Sequence, residues 1–190
     1  MKAVAFNGSP KKNGNTAQML RLVLSDLESN GIETELVQVG GELVRGCGAC
    51  GTCRQRKDLK CIHADDGVND WISKMVDADI IIIGSPTYFA DLTPETKALI
   101  DRCGYVCRSC GNVLKRKIGA AVAVARRAGS IHVFDSINHF FAINEMIIPG
   151  SSYWNLSLSL APGDFEKDEE GKTTMHTLAG NIAWLAERLK

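Results

Sequence analysis

Seven cysteines in a chain of 190 residues are the first side chains that could do chemistry. Cys47, Cys50, Cys53 and Cys61 crowd one stretch, and Cys103, Cys107 and Cys110 another. In a reducing compartment such clustering points to metal ligation or reactive thiols rather than disulfides. The C-x2-C-x2-C spacing of the first three lets their sulfurs converge from one short turn, and Gly48 and Gly51 remove bulk there. Cys61 returns after a seven-residue gap that carries Arg54, Arg56, Lys57 and Lys60, a basic run able to offset the charge of an anionic centre. Three readings stand: four thiolates on a 4Fe–4S cluster, four ligands of a tetrahedral zinc, or free thiols. The second group offers only three ligands. Its C-x3-C-x2-C spacing imitates the radical-SAM triad, but it falls mid-chain at a predicted helix end.

A second set of residues could hold an anion. The run from Asn7 through Gly8, Ser9, Pro10, Lys11, Lys12, Asn13, Gly14 and Asn15 to Thr16 joins a strand to a helix. Such a turn aims free backbone N–H groups and a helix dipole at one spot, which suits a phosphate. Ser9, Asn15 and Thr16 add side-chain donors and Lys11 adds charge. No Lys follows Gly14, so this is not a P-loop, and the alternative is an ordinary glycine-rich turn. The one literal G-x-G-x-x-G (Gly46, Gly48, Gly51) neither follows a strand directly nor opens an apolar helix, so it is no dinucleotide fingerprint.

The elements that must position these residues follow from apolar patterning. Ala3-Val4-Ala5-Phe6 reads as a first buried strand, and Thr16 is predicted to cap a helix carrying Met19, Leu20, Val23, Leu24 and Leu27, stopped by Gly31. Residues 35–39 make a second strand. Asp65 and Asp66 open a helix with Val68, Trp71, Ile72, Met75 and Val76 on one face. Ile80-Ile81-Ile82-Ile83 is the clearest buried strand. Thr93 and Pro94 cap and start the next helix. Residues 118–125 give a fourth strand, a helix through Val133, Ile137 and Phe141 follows, and Met146 to Ile148 is predicted as a short fifth strand. Residues 164–170 read as a solvated acidic loop, and Leu178, Ile182, Leu185 and Leu189 stripe a last helix. Strands and helices alternate, which predicts a doubly wound α/β domain with a five-stranded parallel sheet.

In such a sheet, ligands bind beyond the carboxyl ends of the strands. Pro86, Thr87, Tyr88 and Phe89 end the third strand there, and the two aromatics could cover a flat ring or simply plug the core. Arg126, Arg127, Ala128 and Gly129 end the fourth strand on the same rim. The arginines are solvated if the crevice is empty and counter-charges if an anionic ligand enters it.

The chain resembles the NAD(P)H-dependent FMN reductase and iron–sulfur flavoprotein group of the flavodoxin-like superfamily. The matching pieces are residues 8–16, 47–66, 84–102, 123–132, 138–155 and 166–175, in the family's order and over nearly the whole length. The resemblance implies a single flavodoxin-like domain over residues 1–190 with FMN as cofactor. By motif, Ser9, Lys11, Asn15 and Thr16 map to the phosphate loop, Pro86, Thr87, Tyr88 and Phe89 to the isoalloxazine loop, and Arg126, Arg127, Ala128 and Gly129 to a third loop. It implies homodimers or homotetramers, with Trp154 either near a flavin or in the core. The cysteine spacing departs from the family's compact motif, whose last gap is about five residues. The cluster reading is kept for Cys47, Cys50, Cys53 and Cys61, with zinc and free thiols as alternatives.

The function expected is an oxidoreductase or electron-transfer flavoprotein. Electrons would pass from NAD(P)H or a ferredoxin-like donor through FMN to a quinone, a flavin or an iron–sulfur centre. The alternatives are a non-catalytic redox carrier or sensor, and a zinc-stabilised flavin-binding scaffold. No acid–base residue is nominated, because the flavin carries such chemistry. Twenty-two Lys and Arg balance 22 Asp and Glu, which argues against a nucleic-acid binder. No apolar run is long enough to span a bilayer, and the N-terminus lacks the pattern of a signal peptide, so the expected location is the cytoplasm.

Overall fold

In the computed structural model, residues 1–189 are described. Five parallel strands form one sheet: β1 (Lys2–Asn7), β2 (Glu33–Gln38), β3 (Ile80–Pro86), β4 (Ile118–Ala125) and β5 (Leu156–Leu158). Their order is β2-β1-β3-β4-β5, so the direction of winding reverses between β1 and β3. That reversal opens a crevice at the carboxyl ends of those strands. Six helices cover the sheet: α1 (Asn15–Ser29), α2 (Thr52–Arg56), α3 (Val68–Asp77), α4 (Pro94–Ser109), α5 (Ser130–Ile143) and α6 (Glu169–Arg188).

The two-residue period of a strand explains the two cores. Ile81 and Ile83 join Val4, Phe6, Trp71, Met75, Leu99, Ile137 and Phe141 on the α3, α4 and α5 side. Ile80 and Ile82 join Ala3, Ala5, Met19, Leu20, Leu178 and Ile182 on the α1 and α6 side. All four isoleucines are completely buried, each contributing about 1.5–3 kcal/mol. A continuous apolar run is what a strand sandwiched between two helical layers requires. None of the described helices is long and apolar enough to cross a membrane.

Three local expectations are corrected. Met146 to Ile148 is not the fifth strand: Ile147 makes only an isolated bridge to Ile118. Pro149 has no N–H for a ladder, so the chain swings out and rejoins β4 at Leu156. Buried Asn155 fills the gap, its carbonyl accepting from Ala123 N (2.9 Å) and its Nδ2 donating to Ala121 O (3.0 Å). Thr16 does not cap α1; Gly14 holds that position and no side chain caps the helix. The acidic stretch is structured. It makes a 3-10 turn (Asp164–Lys167) that buries Phe165, and Asp168 caps α6 by accepting from Gly171 N (2.9 Å).

Candidate flavin and cysteine sites

The loop after β1 is held from both sides. Gly8 N donates to Gly84 O (2.7 Å), tying it to β3, and the Thr93 hydroxyl donates to Gly8 O (2.8 Å) from the start of α4. From β2, Gln38 Nε2 donates to Ser9 O (2.7 Å). Closeness dictates glycine here: a Cβ on Gly8 would sit 1.9 Å from Thr96 Oγ1, and one on Gly40 would sit 2.3 Å from the Ser9 carbonyl carbon. The loop is therefore a rigid cradle, and it delivers the chain into α1 with that helix's first turn uncapped. The N–H groups of such a turn need a partner, and an anion supplies one.

The predicted phosphate residues divide. Ser9 is buried, with its Oγ accepting from Lys11 N (3.2 Å), and it shapes the turn. Lys11 is exposed beside the uncapped turn. The Thr16 hydroxyl makes no hydrogen bond among the described residues. The Asn15 side chain is committed elsewhere: it donates to Ala161 O (2.9 Å) and accepts from Gly163 N (3.0 Å). Asn15 thus clamps the 161–165 segment.

The loops after β3 and β4 meet beside this cradle. Thr87 N donates to Val124 O (2.7 Å), and a Cβ on Gly129 would sit 2.9 Å from Thr87 Cγ2. Gly129 has φ +92°, so it suits the left-handed start of α5 that this contact demands. Thr87 Oγ1 is buried and has no partner, an orphan that a ligand's polar edge would satisfy. Beyond it, Tyr88 and Asp91 pair across a tight turn whose central residues, Phe89 and Ala90, have φ of +41° and +79°. Non-glycine residues hold that geometry at a cost, and here it thrusts the Phe89 ring wholly into solvent. Tyr88 is half exposed. The aromatics therefore plug no core. Arg126, Arg127 and Ala128 are exposed on the same rim. Trp154 is likewise no core residue: it is half exposed, edge-on to Tyr153 (4.9 Å between centroids), and lines a broad cavity along β5 with Ser130 and Leu158.

The second site lies where the cysteine loop packs against α4. Cys47, Cys50, Cys53 and Cys61 all line one small cavity, closed by Arg102, Tyr105 and Val106 of α4. Ala49 and Gly51 take left-handed backbone (φ +52° and +73°), which curls the cysteine run before α2 begins. Asn69 of α3 grips the fourth cysteine by its backbone, accepting from Cys61 N (2.8 Å) and donating to Cys61 O (3.1 Å). Hydrogen bonds from Thr52 hold the Cys50 thiol below its ordinary pKa, while burial raises that of Cys53. No three Cys, His, Asp or Glu side chains among the described residues gather closely enough for a single metal ion. Tetrahedral zinc would draw the sulfurs to within about 3.8 Å of one another. A 4Fe–4S cluster interposes irons and sulfides between its ligands, so it takes sulfurs that stand further apart. Cys103 and Cys107 are buried in the α4 core, which pushes the Cys107 thiol up to about 12, so neither is a poised ligand.

Sequence reasoning missed the residue that pins this site. Arg102 is fully buried and paired with Asp66, which lies just before α3. It also donates to Arg45 O (3.2 Å) and His63 O (2.9 Å), so one guanidinium fastens both ends of the cysteine loop. Its place on the buried stripe of α4, three residues after Leu99 and four before Val106, is the signal that could have revealed it. Of the basic gap residues, none of Arg54, Arg56, Lys57 and Lys60 lines the cavity, and Arg54 lies over the ring of Tyr105, which does.

Comparison with known proteins agrees with this arrangement. The family described as NADPH-dependent FMN reductase matches residues 1–160. An iron–sulfur flavoprotein of Methanocaldococcus jannaschii is 34% identical, with the whole of both chains covered. One from Methanosarcina thermophila is 31% identical over all of this chain and 97% of its own. The crystal structure of a flavodoxin, a WrbA-like protein from Agrobacterium tumefaciens, shares the fold at a TM-score of 0.67, with 16% identity and coverage of 100% of this chain and 98% of its own. With its flavodoxin-like sheet, its three convergent loops and a full-length likeness to iron–sulfur flavoproteins, the chain belongs to the NADPH-dependent FMN reductase family of oxidoreductases.

Proposed function

We propose that this protein binds FMN on its three crest loops and one 4Fe–4S cluster on Cys47, Cys50, Cys53 and Cys61. It would move electrons between NAD(P)H or a ferredoxin-like donor and a small-molecule or protein acceptor. The observation that carries the flavin reading is the uncapped first turn of α1, set in a glycine-walled cradle next to the orphaned Thr87 hydroxyl. One phosphate is what one such turn can hold, which favours FMN over a dinucleotide flavin. FMN, when bound, supplies reversible one- and two-electron chemistry, and the cluster supplies one-electron transfer.

The chain's own residues bind, orient and shield. N–H groups of the first turn of α1, the Thr16 hydroxyl and the Lys11 ammonium would hold the phosphate. Thr87 Oγ1 and the rim of residues 86–89 would meet the ring, with Tyr88 and Phe89 closing over it. Arg126 and Arg127 offer charge to the flavin or to an anionic donor. The exposed Tyr153, Trp154, Leu158 and Leu160 flank the edge strand β5, which supports assembly as a homodimer or homotetramer.

The test is direct. Protein purified anaerobically and reconstituted with iron and sulfide should carry flavin, with roughly four iron and four sulfide per chain. Cys50→Ala should lose the iron and keep FMN. Thr16→Val should weaken FMN binding at least tenfold, since a hydrogen bond to a charged group contributes about 1.5–3 kcal/mol. Flavin affinity unchanged in that variant, or no acid-labile sulfide in the reconstituted wild type, would refute the corresponding half of the assignment. Steady NAD(P)H oxidation with a quinone or free flavin distinguishes an enzyme from a redox carrier.

A further inference from the structure

The α4 side of the cysteine cavity carries a buried, incompletely satisfied cation. Arg102 is 1% exposed, and its side chain is among those lining the cavity with all four cysteines. Its terminal nitrogens are occupied by Asp66, the Arg45 carbonyl and the His63 carbonyl. Its Nε–H is buried and has no partner among the described residues. An unpartnered donor on a fully buried cation is expensive, and a protein keeps one where a ligand completes it. Asp66 is also almost fully buried but does not line the cavity, so Arg102 is the member of the pair nearer the cysteines.

We propose that Arg102 is the positioning residue that sets the reduction potential of the cluster held by Cys47, Cys50, Cys53 and Cys61, by donating its free Nε–H to a cluster or cysteine sulfur and by placing a buried positive charge beside it. The proposal rests on the cluster reading above. Reduction adds one negative charge to the cluster. A cation beside it, screened little in a buried site, stabilises the reduced state more than the oxidised one and raises the potential. Hydrogen bonds to cluster sulfur act in the same direction, because the more negative sulfur is the better acceptor. Asp66 opposes the effect while keeping Arg102 in place. Arg102 thus does two jobs: it fastens residues 45 and 63, which fixes where the cysteines stand, and it biases the electron that the site will hold.

Two variants separate these jobs. Arg102→Met with Asp66→Asn removes the pair without stranding a buried carboxylate. Asp66→Asn alone keeps the cation and removes its counter-charge. In a mediated redox titration of the reconstituted protein, followed by cluster absorbance and low-temperature EPR, the double variant should show at least a tenfold fall in the reduced-to-oxidised ratio at fixed potential. That is a shift of about 59 mV for a one-electron couple. Asp66→Asn should shift the ratio the opposite way, at least threefold. FMN content should match the wild type in both, and potentials are read on the cluster-loaded fraction; where the double variant alone loses the cluster, Asp66→Asn decides. A merely structural arginine cannot produce shifts of opposite sign. Loaded variants with unchanged potentials, or with shifts in one direction, overturn the proposal. So does loss of the cluster from both variants with flavin retained, since that leaves anchoring alone. If the double variant fails to retain FMN and so has not folded, Asp66→Asn decides by itself: a rise upholds the proposal, and no rise overturns it. A wild type that takes up no iron or sulfide brings down the cluster reading first, an outcome distinct from a loaded wild type with unshifted variants.

Discussion

Replacing Gly8 with Ala tests whether the cradle's rigidity is what makes it a binding site. The new Cβ would lie 1.9 Å from Thr96 Oγ1 and 2.9 Å from Gly84 O, both far inside contact distance. Thr96 is fully buried and shares a hydrogen bond with the Thr93 hydroxyl (2.8 Å), so it has nowhere to swing. The loop must lift off α4 and lose the Thr93–Gly8 hydrogen bond. Overpacking costs about 1–3 kcal/mol and the lost bond about 1 kcal/mol more, so about 2–4 kcal/mol in all. A domain stability of about 5–15 kcal/mol can absorb that, so the variant should fold and be measurable. Urea unfolding of flavin-free protein, followed by circular dichroism, gives the stability; flavin fluorescence quenching gives the FMN affinity, which should fall at least tenfold as the cradle shifts. Thr96→Ala in the same chain removes the clashing oxygen and leaves Cβ of residue 96 at 3.3 Å. The pair should then cost less than the sum of the single changes by about 1 kcal/mol or more. The rescue is partial because the Gly84 carbonyl remains. A Gly8→Ala protein within about 0.5 kcal/mol of wild type, or a strictly additive pair, would refute the close-approach argument.

Three further outcomes are expected. Arg126→Ala with Arg127→Ala should weaken binding of FMN or of an anionic donor at low salt while leaving the urea midpoint unchanged, because both side chains are solvated; unchanged kinetics across salt concentrations would place them outside the site. Lys74, bonded to Glu35 at 2.6 Å, holds that carboxyl below its ordinary 4.5, so between the two values the unfolded chain binds a proton that the folded chain does not. Stability from this pair is present above pH 4.5 and is lost as pH falls below it, and Glu35→Gln should flatten that part of the acid-unfolding curve; an unchanged slope counts against the pair. In cluster-free protein at pH 8, iodoacetamide with mass spectrometry should label exposed Cys47 and Cys50 first and spare Cys103 and Cys107 until the chain unfolds; early labelling of Cys107 would contradict its burial.

The sequence alone determined the parts whose signal is local. Ile80 through Ile83 could only be a strand buried on two faces, Thr93 with Pro94 could only start a helix, and the glycine-rich run after Phe6 could only be a turn into α1. Alternation of such elements was enough for a doubly wound sheet and for three loops at one edge of it. The C-x2-C-x2-C run was likewise visible as three sulfurs in one turn. Tertiary structure decided whatever depends on partners distant in the chain. The fifth strand went to Leu156–Leu158 rather than Met146 to Ile148, because pairing with β4 needs N–H groups that Pro149 interrupts. The Asn15 side chain clamps residues 161–165, a contact across 146 positions that no spacing encodes. The cation that lines the cysteine cavity is Arg102 on α4, a residue no spacing around the cysteines points to. Sequence neighbours of a cysteine are free to face solvent, where a lysine or arginine is best hydrated. A cation is held in a buried cavity only where a distant carboxylate and distant carbonyls converge on it, and only the folded chain brings Asp66, Arg45 and His63 to the same guanidinium.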